Sequence, residues 1–203
     1  MKKKKISKNW INKQRRDIYV RQSKVEGYRS RAVYKLQEID EKFKIIKNGI
    51  SLIDLGAAPG SWSQYAAKKI KNGKILSIDL NEIKNIGNTY QLKGDFTDSK
   101  YKSQIKKYFG RKVDVVLSDM AVNTTGNKNL DSIYTGELCI GAMNFSKEIL
   151  CNNGKFISKI FMGSTFNEIV SQAKKIFKES KVFKPAASRK SSKESFIICK
   201  FLR

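Results

Sequence analysis

The sequence predicts an α/β domain of the Rossmann-like, doubly wound type, a mostly parallel seven-stranded sheet with helices on both faces and a final antiparallel strand. Three observations predict it. Short apolar runs alternate along the chain with longer stretches of helical periodicity, the pattern of βα units. One of these runs breaks into a glycine turn that reopens as a helix, over residues 50–71. Asp54, Asp79, Asp95 and Asp119 stand at or beside the ends of four successive runs, and in a parallel sheet such ends share the edge where ligands bind. Any one of these acids is an ordinary turn former. Four at one edge mark a site.

In chain order, residues 1–28 are basic and polar, with little periodicity beyond Trp10 and Tyr19, and read as a mobile arm that orders on a polyanion. Residues 29–203 make the domain. With Ser30 as N-cap, Ala32, Val33, Leu36, Ile39, Phe43 and Ile46 recur at helical spacing, and this helix leads into a first strand at 50–55. A second strand, Lys-Ile-Leu-Ser-Ile-Asp at 74–79, follows the glycine turn and its helix. A third, at 89–93, leads into Gly94-Asp95-Phe96 and a helix ending at Phe109. Val-Asp-Val-Val-Leu-Ser at 113–118 is the fourth. The loop at 120–131, rich in Asn, Thr and Gly, is long enough to serve as a lid or substrate loop. A helix over 132–150 precedes the fifth strand, 155–161, and another helix runs to 178. The last pair, near Val182 and over 195–201, reads as a closing hairpin.

The turn itself narrows the chemistry. In Asp54-Leu55-Gly56-Ala57-Ala58-Pro59-Gly60 the glycines let the backbone pass close to a ligand at the following helix N-terminus, where a nucleotide or nucleoside is the usual occupant. The Gly56-x-x-x-Gly60 spacing fits a pyrophosphate cradle poorly, and no G-x-x-x-x-G-K-[ST] occurs, so a dehydrogenase and a P-loop protein are both disfavoured. Asp54 sets a fixed negative charge before the turn, which repels a diphosphate and attracts a cation. That points to the sulfonium and amino acid end of S-adenosylmethionine. Asp79, which lies 19 residues beyond Gly60, ends the second strand, where an acid accepts hydrogen bonds from ribose hydroxyls.

The net charge of +24 is unevenly placed: residues 1–35 carry 13 Lys/Arg against 2 acids and residues 174–203 carry 10 against 2, so the two ends hold +19 of it. A polyanion is the expected partner, and without an amphipathic anchor nucleic acid is preferred to lipid. No apolar run approaches the roughly 18 residues of a membrane span, and the lysine-rich start is not followed by an apolar stretch, so a cytosolic protein is expected. Cys139, Cys151 and Cys199 have no C-x-x-C spacing and the chain has no histidine. Neither a disulfide framework nor a metal site is expected.

Lys159 lies inside Phe156-Ile157-Ser158-Lys159-Ile160-Phe161, where a parallel strand covered on both faces should be apolar and an unpartnered lysine is costly. If the last strand runs antiparallel beside the fifth, Glu194 at its start converges with Lys159 and Asp119 at one edge. Here the sequence resembles a known family. Ser30-Arg31-Ala32-Val33-Tyr34-Lys35-Leu36, the Asp54 to Gln64 segment, Ser118-Asp119-Met120-Ala121, Ser158-Lys159-Ile160-Phe161, and Ser188-Arg189 with Ser192-Lys193-Glu194 are together similar to the FtsJ/RrmJ family of S-adenosylmethionine-dependent RNA ribose 2′-O-methyltransferases. Within it they are most similar to the bacterial branch acting on a uridine of large-subunit (23S) ribosomal RNA.

The resemblance covers residues 29–203. It implies the class I methyltransferase fold, S-adenosylmethionine as cofactor, and ribosomal RNA or the large ribosomal subunit as partner; a monomer is expected. It implies a catalytic tetrad of Lys35, Asp119, Lys159 and Glu194, and cofactor contacts at Gly60, Trp62, Asp79, Asp95 and Asp119, beside Asp54 and Gly56 of the turn. Ser61 and Val122 depart from the family pattern, which often has glycine and proline there. The reaction is an in-line displacement that needs a ribose hydroxyl aligned and its proton removed. Lys159 is the candidate, either accepting that proton or holding the developing alkoxide as a cation. Transfer RNA or a messenger RNA cap are alternative substrates. A non-catalytic RNA-binding assembly factor is the alternative from another class, and a lysine kept within an apolar strand argues against it.

Overall fold

The computed structural model describes residues 17–121 and 127–203. Seven strands, β1 (Ser51–Leu55), β2 (Lys74–Asp79), β3 (Thr89–Lys93), β4 (Val113–Ser118), β5 (Leu150–Phe161), β6 (Phe177–Phe183) and β7 (Glu194–Leu202), form one sheet in the order β3-β2-β1-β4-β5-β7-β6. The first five run parallel. β7 enters antiparallel between β5 and β6, so Glu194 at its start faces Phe161 at the end of β5. This brings the first residue of β7 to the edge where β1 to β5 end.

Side chains alternate across each strand, and two cores result. Ile53, Leu55, Val116, Phe156 and Ile160 pack beneath α4 (Ser99–Phe109), α5 (Lys128–Ile149) and α6 (Phe166–Ile176). Leu52, Val115, Leu117, Ile157 and Phe196 pack beneath α2 (Val33–Phe43) and α3 (Ser61–Lys69). Lys159 shares the α2 side with Ile157, two residues away, which is why a lysine of α2 can reach it. Cys139 and Cys199 are buried in the first core as free thiols.

Several boundaries differ from those the sequence predicts. Residues 17–28, assigned to the basic arm, include a helix, α1 (Ile18–Val25), capped by Asp17, whose carboxylate accepts from Tyr19 N. The Tyr19 ring packs tilted at 5.2 Å from that of Tyr34 of α2, and Asp17 pairs with Arg31 and Arg189, so this segment is tied to the domain. Residues 1–16 and the tip of the 120–131 loop, including Val122, lie outside the described residues. Ser30 does not cap α2: its Oγ accepts from Ala32 N and meets Ser61 Oγ at 2.7 Å. α5 begins at Lys128 with Asn127 as its cap, and β5 begins directly at Leu150, its pairing with β4 shifting between Val113 and Val115. α6 stops at Ile176 and Phe177 opens β6 at once.

Candidate active site

At the shared edge of the sheet a cleft of about 570 Å³ opens between the glycine turn, the ends of β2 and β3 and the segment after β4. Gly56, Asp79, Asp95, Phe96, Asp119 and Met120 stand in its wall. Gly56 has φ +68°, and a Cβ there would run into the Met120 side chain, so only glycine keeps both the turn and this wall. Asp79 straps the rim with both carboxylate oxygens: Oδ2 accepts from Ala58 N at 3.0 Å and Oδ1 from Asn81 N at 2.7 Å. Asp95 is held in its own turn by Thr97 N and Thr97 Oγ1, at 2.8 and 2.7 Å.

Among the described residues three carboxylates and no lysine or arginine line this cleft, in a chain of net charge +24. Such walls suit a ligand with hydroxyl and ammonium donors or a positive centre and disfavour a diphosphate. The exposed Leu80 side chain beside Asp79 offers an apolar surface at the rim. A nucleoside carrying a sulfonium and an amino acid group fits this donor and acceptor set.

Three residues expected at the ligand do not line the cleft. Trp62 is buried, its Nε1 donating to Ala32 O at 2.8 Å and its ring 5.7 Å from Phe196, so it pins α3 to the start of α2. Gly60 has φ +107°, and a Cβ there would also meet Ile86 at 2.7 Å and the Arg29 guanidinium at 2.8 Å, so both the backbone and the packing call for glycine. Asp54 points into the α2 side of the sheet and is fully buried, accepting from Ser63 Oγ at 2.6 Å. Burial, with repulsion from Asp119 and Asp79, pushes its carboxyl up to about 7 against the opposing Ser63 hydrogen bond. Burial thus works against a charge on Asp54, while Asp79, Asp95 and Asp119 stand in the wall itself.

Lys35, Asp119, Lys159 and Glu194 do come together at the lip. Lys159 Nζ lies 2.7 Å from Asp119 Oδ1, donates to Asp119 O at 2.8 Å, and stands 4.0 Å from Glu194 Oε2. Lys35 Nζ reaches the same Oε2 at 2.8 Å. Burial works against charge at both Lys35 and Asp119, but is outweighed. Asp119 and Glu194 raise the Lys35 pKa, while Lys159 and Lys35 hold Asp119 below the usual carboxylate range. Two lysines and two carboxylates thus meet in a largely buried site, with Asp119 shared between this cluster and the cleft.

Two supports were not legible as such in the sequence. Ser188 Oγ donates to Glu194 Oε1 at 2.8 Å and fixes the carboxylate, although Ser188 carries no role from its residue type alone. Arg29 donates to Pro59 O at 3.0 Å, Lys84 O at 2.8 Å and Asn85 O at 2.8 Å, clamping the glycine turn to the loop after β2. Its target carbonyls are main-chain atoms, which no side-chain pattern announces.

Fold and cleft together define the class I methyltransferase architecture. The family model of the FtsJ-like methyltransferases matches residues 28–202, and the chain belongs to that family. A protein of Pelagibacter ubique named ribosomal RNA large subunit methyltransferase E is 68% identical over 203 residues, the whole of both chains. One of the same name from Rickettsia akari is 46% identical over 95% of this chain and 87% of its own. A crystal structure described as a ribosomal RNA methyltransferase from Plasmodium falciparum superposes with a TM-score of 0.79 at 32% identity, over 86% of this chain and 98% of that one. A methyltransferase structure from Streptococcus mutans shares the fold at 13% identity, with a TM-score of 0.55 over 82% of this chain and 97% of its own.

Proposed function

We propose that this chain transfers a methyl group from S-adenosylmethionine to the 2′-hydroxyl of a uridine ribose in large-subunit (23S) ribosomal RNA, acting as a monomer in the cytoplasm on the assembled large subunit. The observation that carries the reading is the Lys35, Asp119, Lys159 and Glu194 cluster at the lip of an acid-walled cleft. The names of the relatives support the substrate. Among the described residues no helix is long and apolar enough to cross a membrane.

Gly56, Asp79, Asp95 and Asp119 would hold the cofactor, Asp79 and Asp95 offering acceptors and Asp119 a negative charge. S-adenosylmethionine supplies a methyl group on a sulfonium, open to in-line attack by an oxygen nucleophile. Lys159 acts on the ribose hydroxyl, taking its proton or holding the alkoxide that develops. Asp119 and Glu194 position the Lys159 ammonium or amine between them, and Lys35 and Ser188 hold Glu194 in place. Mapping 2′-O-methylation on ribosomal RNA from cells with and without this gene tests the reading. A large-subunit uridine should lose its methyl group in the deletion strain, and an unchanged map refutes it.

A further inference from the structure

At the far end of α2 from Lys35 a second group of lysines gathers, and the mechanism uses none of it. Lys155 of β5 and Lys200 of β7 are direct cross-strand partners, and like charges so placed destabilise a sheet. Burial, then Lys200 and Lys47, lower the Lys155 pKa, opposed by Asp40. Asp40 itself is taken up by Lys69, Tyr65 Oη and Ile46 N. Lys42 and Lys200 each place Nζ 5.9 Å from the centre of the Phe43 ring, and Lys42 lies 4.4 Å over Phe183. Among the described residues none of Lys42, Lys47, Lys155 and Lys200 makes an ion pair, although Glu179 of β6 stands opposite Lys200. Lys155 is occupied with the carbonyls of Lys44 at 2.6 Å and Ile45 at 3.4 Å, which leaves Lys42, Lys47 and Lys200 as the outer charges.

A fold gains nothing from like charges set against each other; a polyanion does. We propose that Lys42, Lys47 and Lys200, carried on Phe43, Phe183 and Lys155, form a phosphate-tracking surface for the RNA strand that flanks the reacting nucleotide. This rests on the ribosomal RNA reading above. Lys155 and Lys159 share one face of β5 four residues apart, about 13 Å at the rise of a strand. That separation corresponds to about four nucleotides at a stacked rise of ~3.4 Å. α2 spans the interval, with Lys35 near its start and Lys42 near its end.

The test uses Lys47→Gln/Lys200→Gln and Lys47→Glu/Lys200→Glu in the full chain. Affinity for a large-subunit ribosomal RNA fragment and for the assembled subunit is measured across a potassium chloride series. Losing two phosphate contacts should flatten the log–log salt slope by about 1.4 to 1.8 and weaken binding of the Gln pair about tenfold at moderate salt, and of the Glu pair further. Thermal unfolding midpoints should be unchanged or higher, because the repulsion around Lys155 is relieved. An unaltered salt slope overturns the proposal, as does weakened binding to the assembled subunit alone, which would assign the surface to an acidic protein. Methyl transfer by the wild-type chain to the same particles is read separately: its absence would refute the substrate reading and leave the binding result standing.

Discussion

Lys159 is one charge in a strand whose neighbours Ile157 and Ile160 are fully buried, and its position has a mechanistic consequence that substitution can separate. Lys159→Ala should keep the fold and cofactor binding while lowering single-turnover methyl transfer by ~10²-fold or more. Lys159→Arg keeps the charge but cannot accept a proton. A rate partly restored in Arg identifies a cationic role; a rate as low as in Ala identifies a base. Asp54 predicts something different. Its carboxyl is pushed up to about 7 from 3.8, so between those values the folded chain keeps a proton that the unfolded chain has released. Its contribution is full at the acid end and is lost as pH rises through 7, on the order of 4 kcal/mol. Asp119, held low, acts in the opposite sense, its contribution present above the carboxyl range and lost below it. Asp54→Asn should therefore flatten the decline of the unfolding midpoint between about pH 4 and 7. A decline as steep as in the wild type would contradict the buried, protonated carboxyl.

The elements that present these residues are the glycine turn and its braces. Gly56→Ala meets both a positive φ and the Met120 side chain, and should cost about 2 to 4 kcal/mol in stability and cofactor binding together. Asp79→Ala removes the acceptor for Ala58 N and Asn81 N as well as a wall carboxylate, and should weaken S-adenosylmethionine by about 1 to 3 kcal/mol in calorimetry. Unchanged affinity would show that neither bond matters to the ligand. Much of this was legible in sequence because period and punctuation agree: a buried apolar run, two glycines, a helix, and an acid ending the next strand. Lys159, Asp119 and Glu194 were legible because a lysine interrupts an apolar strand visibly and the acids sit at strand ends, whereas Lys35 came only from the family resemblance. What the sequence hid was direction. Asp54 lies one residue before the end of β1, and strand alternation turns it into the core with Ser63 while Asp79 and Asp119 face the cleft. The resemblance implies a cofactor contact at Trp62, but the helix that carries it turns the indole toward the start of α2. The fifth strand, expected from residue 155, begins at Leu150, and its first stretch pairs irregularly with β4.

Across the whole molecule, an acidic cleft is set in a basic surface, and the most basic stretch is the start of the chain. Residues 1–16 carry eight Lys/Arg and no acid. The boundary of the arm at residue 28, drawn from composition, meets a structural obstacle, because Asp17 pairs with Arg31 and Arg189, and Tyr19 packs on Tyr34 next to Lys35. Arg31 in turn donates to Ala187 O, in the loop that carries Ser188 to Glu194. Two truncations should therefore behave differently. Removing residues 1–16 should weaken RNA binding and flatten its salt dependence, since fewer counterions are released, while leaving the unfolding midpoint and the turnover of bound substrate intact. Removing residues 1–28 takes away no further net charge, since 17–28 hold two basic and two acidic residues, but should loosen the Glu194 loop and the start of α2, so that the midpoint falls and single-turnover transfer slows even at saturating RNA. Salt titrations and melting curves on both truncations decide the matter: an equal midpoint for the two would show that α1 braces nothing, and an unaltered salt slope for the shorter truncation would show that the basic start of the chain does not touch RNA.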